Sequence, residues 1–270
     1  MIRSPAEDLQ ASGHESTQSI IYGPVVSRRY GRSLGINPMP RTDKLCNFNC
    51  VYCQLGWTAP QQTGYAPDKS VFASPEEIAS ALRAVSRATL AEVDAIMICG
   101  NGEPTLHPRF SAMVDQLVAV RDTVAPRLPI TLLTNGTRLS NPEIHAALSR
   151  LDQVAVKLDA GSLRKLKQID MPREPVDLRV IAEATALLPR AVIQSCFVEG
   201  SVANTDEASI KDWLAALRFI RPERVDIYTI SRTPPTDRVH GVSLATLEKI
   251  ADRARPIPGL EVRVFGNGES

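Results

Sequence analysis

The sequence predicts an α/β protein built on a mostly parallel sheet, and three observations carry that expectation. Six short runs are apolar nearly throughout rather than at every second residue, the pattern of strands buried on both faces. Most of them are followed by a segment with apolar residues at helical spacing, so strands and helices alternate. The units number six, fewer than the eight of a closed barrel. An open barrel, a partial (β/α)6 TIM-like barrel of mostly parallel strands, fits that count. A doubly wound sheet is the alternative, and periodicity does not separate the two. In either architecture the functional residues belong at the C-terminal ends of the strands.

The elements follow in order. Residues 1–19 are rich in Ser, Glu, Gln and Ala without apolar periodicity and read as a flexible tail, leaving 20–270 as one core domain. Residues 33–37 form the first strand, which Pro38 and Pro40 end before a cysteine-rich loop. Residues 56–70, rich in Gly, Pro and Gln, read as a loop. Ser74, Pro75, Glu76 and Glu77 open a helix with a capping residue, a first-position proline and acids in the first turn. Strands are then expected at 94–99, 130–134, 153–158, 191–198 and 225–230. Helices are expected at about 108–124, 142–151, 178–188, 206–220 and 244–253, with a last apolar run at 261–265 as an extra strand.

Composition narrows the class. Of 270 residues, 43% are hydrophobic and 23% charged, which excludes a disordered or fibrous chain. Lys and Arg total 31 against 30 Asp and Glu, so no global field draws in nucleic acid or a membrane. No apolar run approaches the roughly 18 residues of a membrane span. The polar, acid-bearing N-terminal stretch lacks the apolar centre of a secretory signal, and a cytoplasmic protein is expected. Three of the five cysteines crowd together, which in a reducing compartment indicates a metal site rather than disulfides.

Those three are Cys46, Cys50 and Cys53, spaced C-x3-C-x2-C. Soft thiolates favour zinc or an iron–sulfur cluster. A structural zinc site normally takes four protein ligands in two pairs, and here zinc would need a distant fourth ligand such as Cys99 or His107. Clusters that only carry electrons also take four. Three thiolates leave one iron open to a substrate or cofactor. Cys99 and Cys196 stand alone in apolar runs and read as buried thiols.

Other residues could serve such a centre. Gly100-Asn101-Gly102-Glu103 ends the second strand, where two glycines let backbone approach a ligand and a carboxylate could hold an ammonium. Thr134-Asn135-Gly136 closes the third strand and could equally be a plain turn. Lys157 ends the fourth strand, and a lysine in an apolar strand is unusual unless paired; it reads either as a functional cation or as the partner of Asp159. Gln194 interrupts the fifth strand and is the candidate to face the cavity. Tyr228-Thr229-Ile230 and Arg232 lie at the end of the sixth.

A C-x3-C-x-aromatic-C loop after the first strand of an α/β chain resembles the radical S-adenosylmethionine superfamily. The resemblance implies a 4Fe–4S cluster on Cys46, Cys50 and Cys53, with S-adenosylmethionine chelating the open iron. It implies reductive cleavage to a 5′-deoxyadenosyl radical that abstracts hydrogen from a substrate. Tyr52 takes the aromatic position that in the family packs on the adenine. Gly100 to Glu103 resembles the family's Gly-Gly-Glu motif with Asn101 in place of a glycine, and Glu103 would hold the methionine amino group. Thr134 and Asn135 would contact the ribose or methionine part. Lys157 would meet the methionine carboxylate or act on a carbonyl or carboxylate substrate. Gln194 and Tyr228 complete the cofactor-binding set, and Arg232 would reach an anionic group. A flavodoxin or ferredoxin would supply the electron.

The segment from Gly23 to Asn37 resembles the N-terminal signature of the bacterial and archaeal branch related to the wyosine-forming tRNA synthase. That synthase carries additional cysteines ahead of the radical motif, and here no cysteine precedes Cys46. The departure weakens any transfer of its tRNA chemistry. A local basic patch of Arg28, Arg29, Arg32, Arg41 and Lys44 keeps tRNA among the candidate substrates. The remaining alternative is a zinc- or cluster-binding module without catalysis.

Overall fold

The computed structural model describes residues 19–59 and 71–266. The expected tail, apart from Ser19, and most of the 56–70 loop lie outside them. The strands are β1 (Ile21–Ser27), β2 (Gly31–Ile36), β3 (Ala95–Ile98), β4 (Ile130–Thr134), β5 (Gln153–Lys157), β6 (Ala191–Gly200), β7 (Arg224–Thr229), β8 (Val239–Gly241) and β9 (Glu261–Phe265). Their order is β1-β2-β3-β4-β5-β6-β7-β9, with β8 attached to β6. Every pairing from β2 to β9 along this path is parallel; β1 is antiparallel to β2, and β8 is antiparallel to β6.

The helices are α1 (Pro75–Arg83), α2 (Arg87–Ala91), α3 (Phe110–Val124), α4 (Pro142–Leu148), α5 (Leu163–Ile169), α6 (Leu178–Ala186), α7 (Glu207–Ile220) and α8 (Leu244–Ala254). The α1 start is a reciprocal cap, in which Glu77 N donates to Ser74 Oγ and Ser74 N to Glu77 Oε2. Alternation along the strands divides the sheet into two faces. Leu34, Ile36, Ile96, Ile98, Ile130, Leu132, Val154, Val156 and Ile193 point to the helices, where Leu82, Met113, Leu117, Leu148, Leu214 and Ile250 complete one continuous core. Leu133, Ala155, Lys157, Gln194, Cys196 and Tyr228, at the opposite parity, line a cavity on the concave face.

The sheet curls into a half-barrel, and among the described residues no ladder joins β1 to β9. The doubly wound alternative is thereby set aside. The turn between β1 and β2 reaches across the opening instead. Arg28 donates to the carbonyl of Gly266, 2.5 Å away, and to that of Thr229, 3.3 Å away. The Arg29 guanidinium stacks 4.1 Å from the Tyr228 ring centroid, and Gln194 donates to the Tyr30 hydroxyl at 2.8 Å.

Four elements went unpredicted: β1, β8, α2 and α5. The Gly23-Pro24 pair hid β1, because proline in a strand is tolerated only at an edge or an irregularity. β1 is both an edge strand and shifted in register between Tyr22 and Val25. The helix expected from Pro108 begins at Phe110, and the one expected to reach Leu151 ends at Leu148.

Trp213 on α7 is 1% exposed, meets Phe197 of β6 edge-to-face at 5.3 Å and donates to Ser195 Oγ at 2.8 Å. Trp213→Ala should lower unfolding free energy by about 3–5 kcal/mol, read from urea denaturation.

Candidate active site

The cysteine loop leaves β2 and threads between two strips of backbone. On one side Leu45 N donates to Asn101 O at 2.7 Å, and Glu103 N donates back to Leu45 O at 3.1 Å. On the other, Asn49 N donates to Asp170 O, Val51 N to Ile169 O and Arg173 N to Asn47 O, each at 2.9 Å. Side chains reinforce both seams. Asn37 Oδ1 accepts from Met39 N and Asn101 N, and Asn47 bridges Asn135 to Glu174. Cys53 N donates to Cys50 O, closing a turn that presents the thiols.

Cys46, Cys50 and Cys53 all line a cavity of about 460 Å³ inside the half-barrel. Its other walls include Tyr52, Gly100, Gly102, Glu103, Thr134, Asn135, Lys157, Gln194 and Tyr228. The fold therefore gathers around one space all the predicted site residues except Asn101. Asn101 turns away: its amide donates to Pro40 O at 3.0 Å and Arg41 O at 3.3 Å, so it braces the start of the loop. Gly102 has φ +146°, and a Cβ there would fall 1.7 Å from Leu45 O, which explains a glycine at this point of the seam.

Glu103 is 3% exposed and holds four donors of its own. Oε1 accepts from Thr105 N at 3.1 Å and from the hydroxyls of Thr105 and Thr134 at 2.6 Å each; Oε2 accepts from Asn135 N at 2.7 Å. Burial raises its carboxyl above the usual range, and these donors oppose that rise. The group is fixed in position before any ligand arrives.

Lys157 meets the partner the sequence suggested and two more. Nζ donates to Asp159 Oδ2 at 2.6 Å and to the Tyr52 hydroxyl, lies 4.3 Å from the Tyr52 ring centroid, and sits 3.5 Å from Asp170 Oδ1. Tyr52 in turn donates to Asp159. Burial works against the ammonium, but Asp159, Cys50 and Asp170 outweigh it and hold Lys157 well above the ordinary lysine value. Asp170, with both carboxyl oxygens buried and without a hydrogen-bond partner, is pushed well above the ordinary aspartate value by burial and by Asp159. This favours a neutral acid there. A protonated Lys157 can attract a carboxylate but is not a free amine nucleophile. Asp170 carried no sequence signal, because it lies far along the chain on an unpredicted helix end.

The zinc alternative required Cys99 or His107. His107 lies off the cavity, with Nε2 2.8 Å from Ala73 O and Nδ1 accepting from Arg109 N. Cys99 Sγ is 2.9 Å from the Tyr22 hydroxyl. Cys196 is fully buried among apolar groups that include Val51 and Val198. Among the described residues no three His, Cys, Asp or Glu groups gather around a position for a single ion. Three soft thiols lining one cavity suit an iron–sulfur cluster with an open corner. Burial pushes the Cys46 thiol up to about 12 and raises Cys50 well above the ordinary thiol value, so ionised sulfur there calls for a cationic centre beside it.

The predicted basic patch does not stay together. Arg28, Arg29 and Lys44 line the cavity, while Arg32 pairs with Glu92 at 3.0 Å on the exterior and Arg41 is exposed outside it.

Residues 44–200, more than half of the chain, match the Radical SAM superfamily, and the chain belongs to that superfamily. Its members are enzymes that use a 4Fe–4S cluster with S-adenosylmethionine, so the non-catalytic module is set aside. A UPF0026 protein of Synechocystis sp. is 30% identical over 224 residues, covering 83% of this chain and 80% of that protein. A Brachyspira hyodysenteriae protein named GTPase Obg is 29% identical over 85% of this chain but only 32% of its own length. The structure of TYW1 with a lysine-pyruvate adduct bound superposes with a TM-score of 0.60 at 15% identity, covering 84% of this chain and 74% of that one, a likeness of fold. No helix among the described residues is long and apolar enough to cross a membrane.

Gly102→Ala should displace Leu45 and with it the cysteine loop, lowering iron retained after reconstitution severalfold. Gly56→Ala is the control: its φ is also positive but its Cβ position is open, so backbone strain of about 1–2 kcal/mol should leave iron content unchanged.

Proposed function

We propose that Cys46, Cys50 and Cys53 hold a 4Fe–4S cluster whose fourth iron takes S-adenosylmethionine, and that the enzyme abstracts hydrogen from a small substrate bound in the half-barrel. The observation that carries this reading is the single cavity shared by the three thiols, Glu103 and the inward residues of β4 to β7. With both groups bound and one electron from a flavodoxin- or ferredoxin-type donor, the cofactor pair supplies methionine and a 5′-deoxyadenosyl radical, which becomes 5′-deoxyadenosine on taking the substrate hydrogen.

The chain's own groups do the positioning. Glu103 offers a fixed carboxylate for the methionine ammonium, a charge-assisted contact that needs little rearrangement. Thr134 and Asn135, already bonded to Glu103, set the edge along which the rest of the cofactor lies. Lys157 brings a positive charge between Cys50 and the cavity, and Tyr52 and Asp159 hold it there. Gln194 and Tyr228 line the same cavity and are tied to the β1–β2 turn through Tyr30 and Arg29. Water is limited by that turn, which spans the open side of the half-barrel.

The decisive assay is anaerobic reconstitution and reduction with S-adenosylmethionine present, read as 5′-deoxyadenosine. Wild type should form it, and the Cys46, Cys50 and Cys53 triple alanine variant should form none. A triple variant that retains iron and sulfide refutes the ligand set. Glu103→Gln should keep its iron while S-adenosylmethionine binding weakens about tenfold by equilibrium dialysis, roughly 1.4 kcal/mol. Unchanged affinity would remove Glu103 from the cofactor site.

A further inference from the structure

The charge lining the cavity is strongly one-sided. Five cations face it: Arg28, Arg29, Lys44, Lys157 and Arg232. Among the described residues Glu103 is the one carboxylate in its lining. Lys157 is balanced by Asp159. Among the described residues Arg29, Lys44 and Arg232 enter no ion pair. Lys44 instead donates to Gly56 O at 2.6 Å and Arg232 to Gln54 Oε1 at 3.0 Å, both steadying the cysteine loop. Arg28 and Arg29 stand beside β7. Burial and the neighbouring Arg29 charge both lower the proton affinity of Arg28.

Two like charges are not brought together in a partly buried place without cost. Arg29 has a further feature: its Nε is buried and has no hydrogen-bond partner. A buried, unbonded donor is uncommon and calls for an explanation. Stacking on Tyr228 uses the face of the guanidinium and leaves the in-plane N–H groups for an acceptor. A planar fork of that kind matches an oxyanion.

We infer that Arg29, with Arg28 beside it, binds an oxyanion group of the substrate, a phosphate or a carboxylate, in the cavity that the three cysteines also line. This rests on the radical reading above and names the substrate class for that site. A nucleic-acid backbone is a poorer fit, because the exterior member Arg32 is neutralised by Glu92 and the charge is concentrated inside the cavity. The anion anchors one end of a small molecule, so that the carbon losing hydrogen is presented toward the thiol wall.

The test uses the reconstituted full-length chain at fixed ionic strength, with iron, sulfide and S-adenosylmethionine binding measured on the same samples. Equilibrium dialysis with inorganic pyrophosphate and, separately, with oxalate should show saturable binding of at least one probe, about one per chain. Arg29→Gln should weaken it tenfold or more, Arg29→Lys less, and Arg32→Gln not at all. Iron and sulfide should be retained in Arg29→Gln, which separates failure of the anion site from failure of the radical reading. Pyrophosphate binding indicates a phosphorylated substrate, and oxalate binding alone a carboxylate. If Arg29→Gln does not fold by circular dichroism, Arg28→Gln takes its place, with severalfold weakening expected. Wild type that binds neither probe saturably, or folded variants that bind as wild type does, would overturn the proposal.

Discussion

The structure turns on the backbone of the cysteine loop. Residues 45–51 are largely buried and belong to no regular element, so their N–H and C=O groups must find partners elsewhere. They find them in the Gly100–Glu103 turn and in the stretch from Ile169 to Arg173. Those two seams fix where the thiols stand relative to Glu103 and Lys157, whose carriers are β3 and β5. The Gly100–Glu103 turn and the cysteine loop are thus one hydrogen-bonded unit, and neither could shift without the other. Gly102 belongs to this unit by steric necessity, since any side chain would meet Leu45.

A second dependence is electrostatic. Lys157, Asp159, Asp170 and Tyr52 form a buried group of charges and polar atoms directly behind Cys50. Burying charge is costly unless each member is bonded, and here Asp159 accepts from Lys157, Tyr52 and the backbone of Cys196. Such an arrangement adds little to stability but fixes the position of a cation beside the thiol wall. It also accounts for the two readings of Lys157, as partner of Asp159 or as functional cation, because both describe the same side chain.

The half-barrel leaves its open side to a hairpin turn rather than to further strands. Arg28, Arg29 and Tyr30 close that side by hydrogen bonds and stacking to β6, β7 and the end of β9. This places charged side chains where a full barrel would have packed apolar ones. The parallel strands carry the cavity and the closing segment adds Arg28 and Arg29 to its lining, in keeping with function residing in sites rather than in folds.

The sequence by itself determined the α/β class and the parallel strands along the chain, and it marked out the three crowded cysteines. Apolar runs and C-x3-C-x2-C spacing are local signals, and local signals survive without knowledge of the fold. Strand parity was not read from the sequence, beyond Gln194 as the candidate to face the cavity; the structure puts Lys157, Gln194, Cys196 and Tyr228 in the phase that faces inward. Tertiary structure alone decided the rest. Open barrel or doubly wound sheet depends on how strands curl, which no single segment encodes. Asn101 was misplaced because its motif position says nothing about which way its amide turns once Pro40 and Arg41 lie beside it. Asp170, Asn47 and the Arg29–Tyr228 stack act across separations far longer than any sequence window, so their partners exist only after the chain has folded.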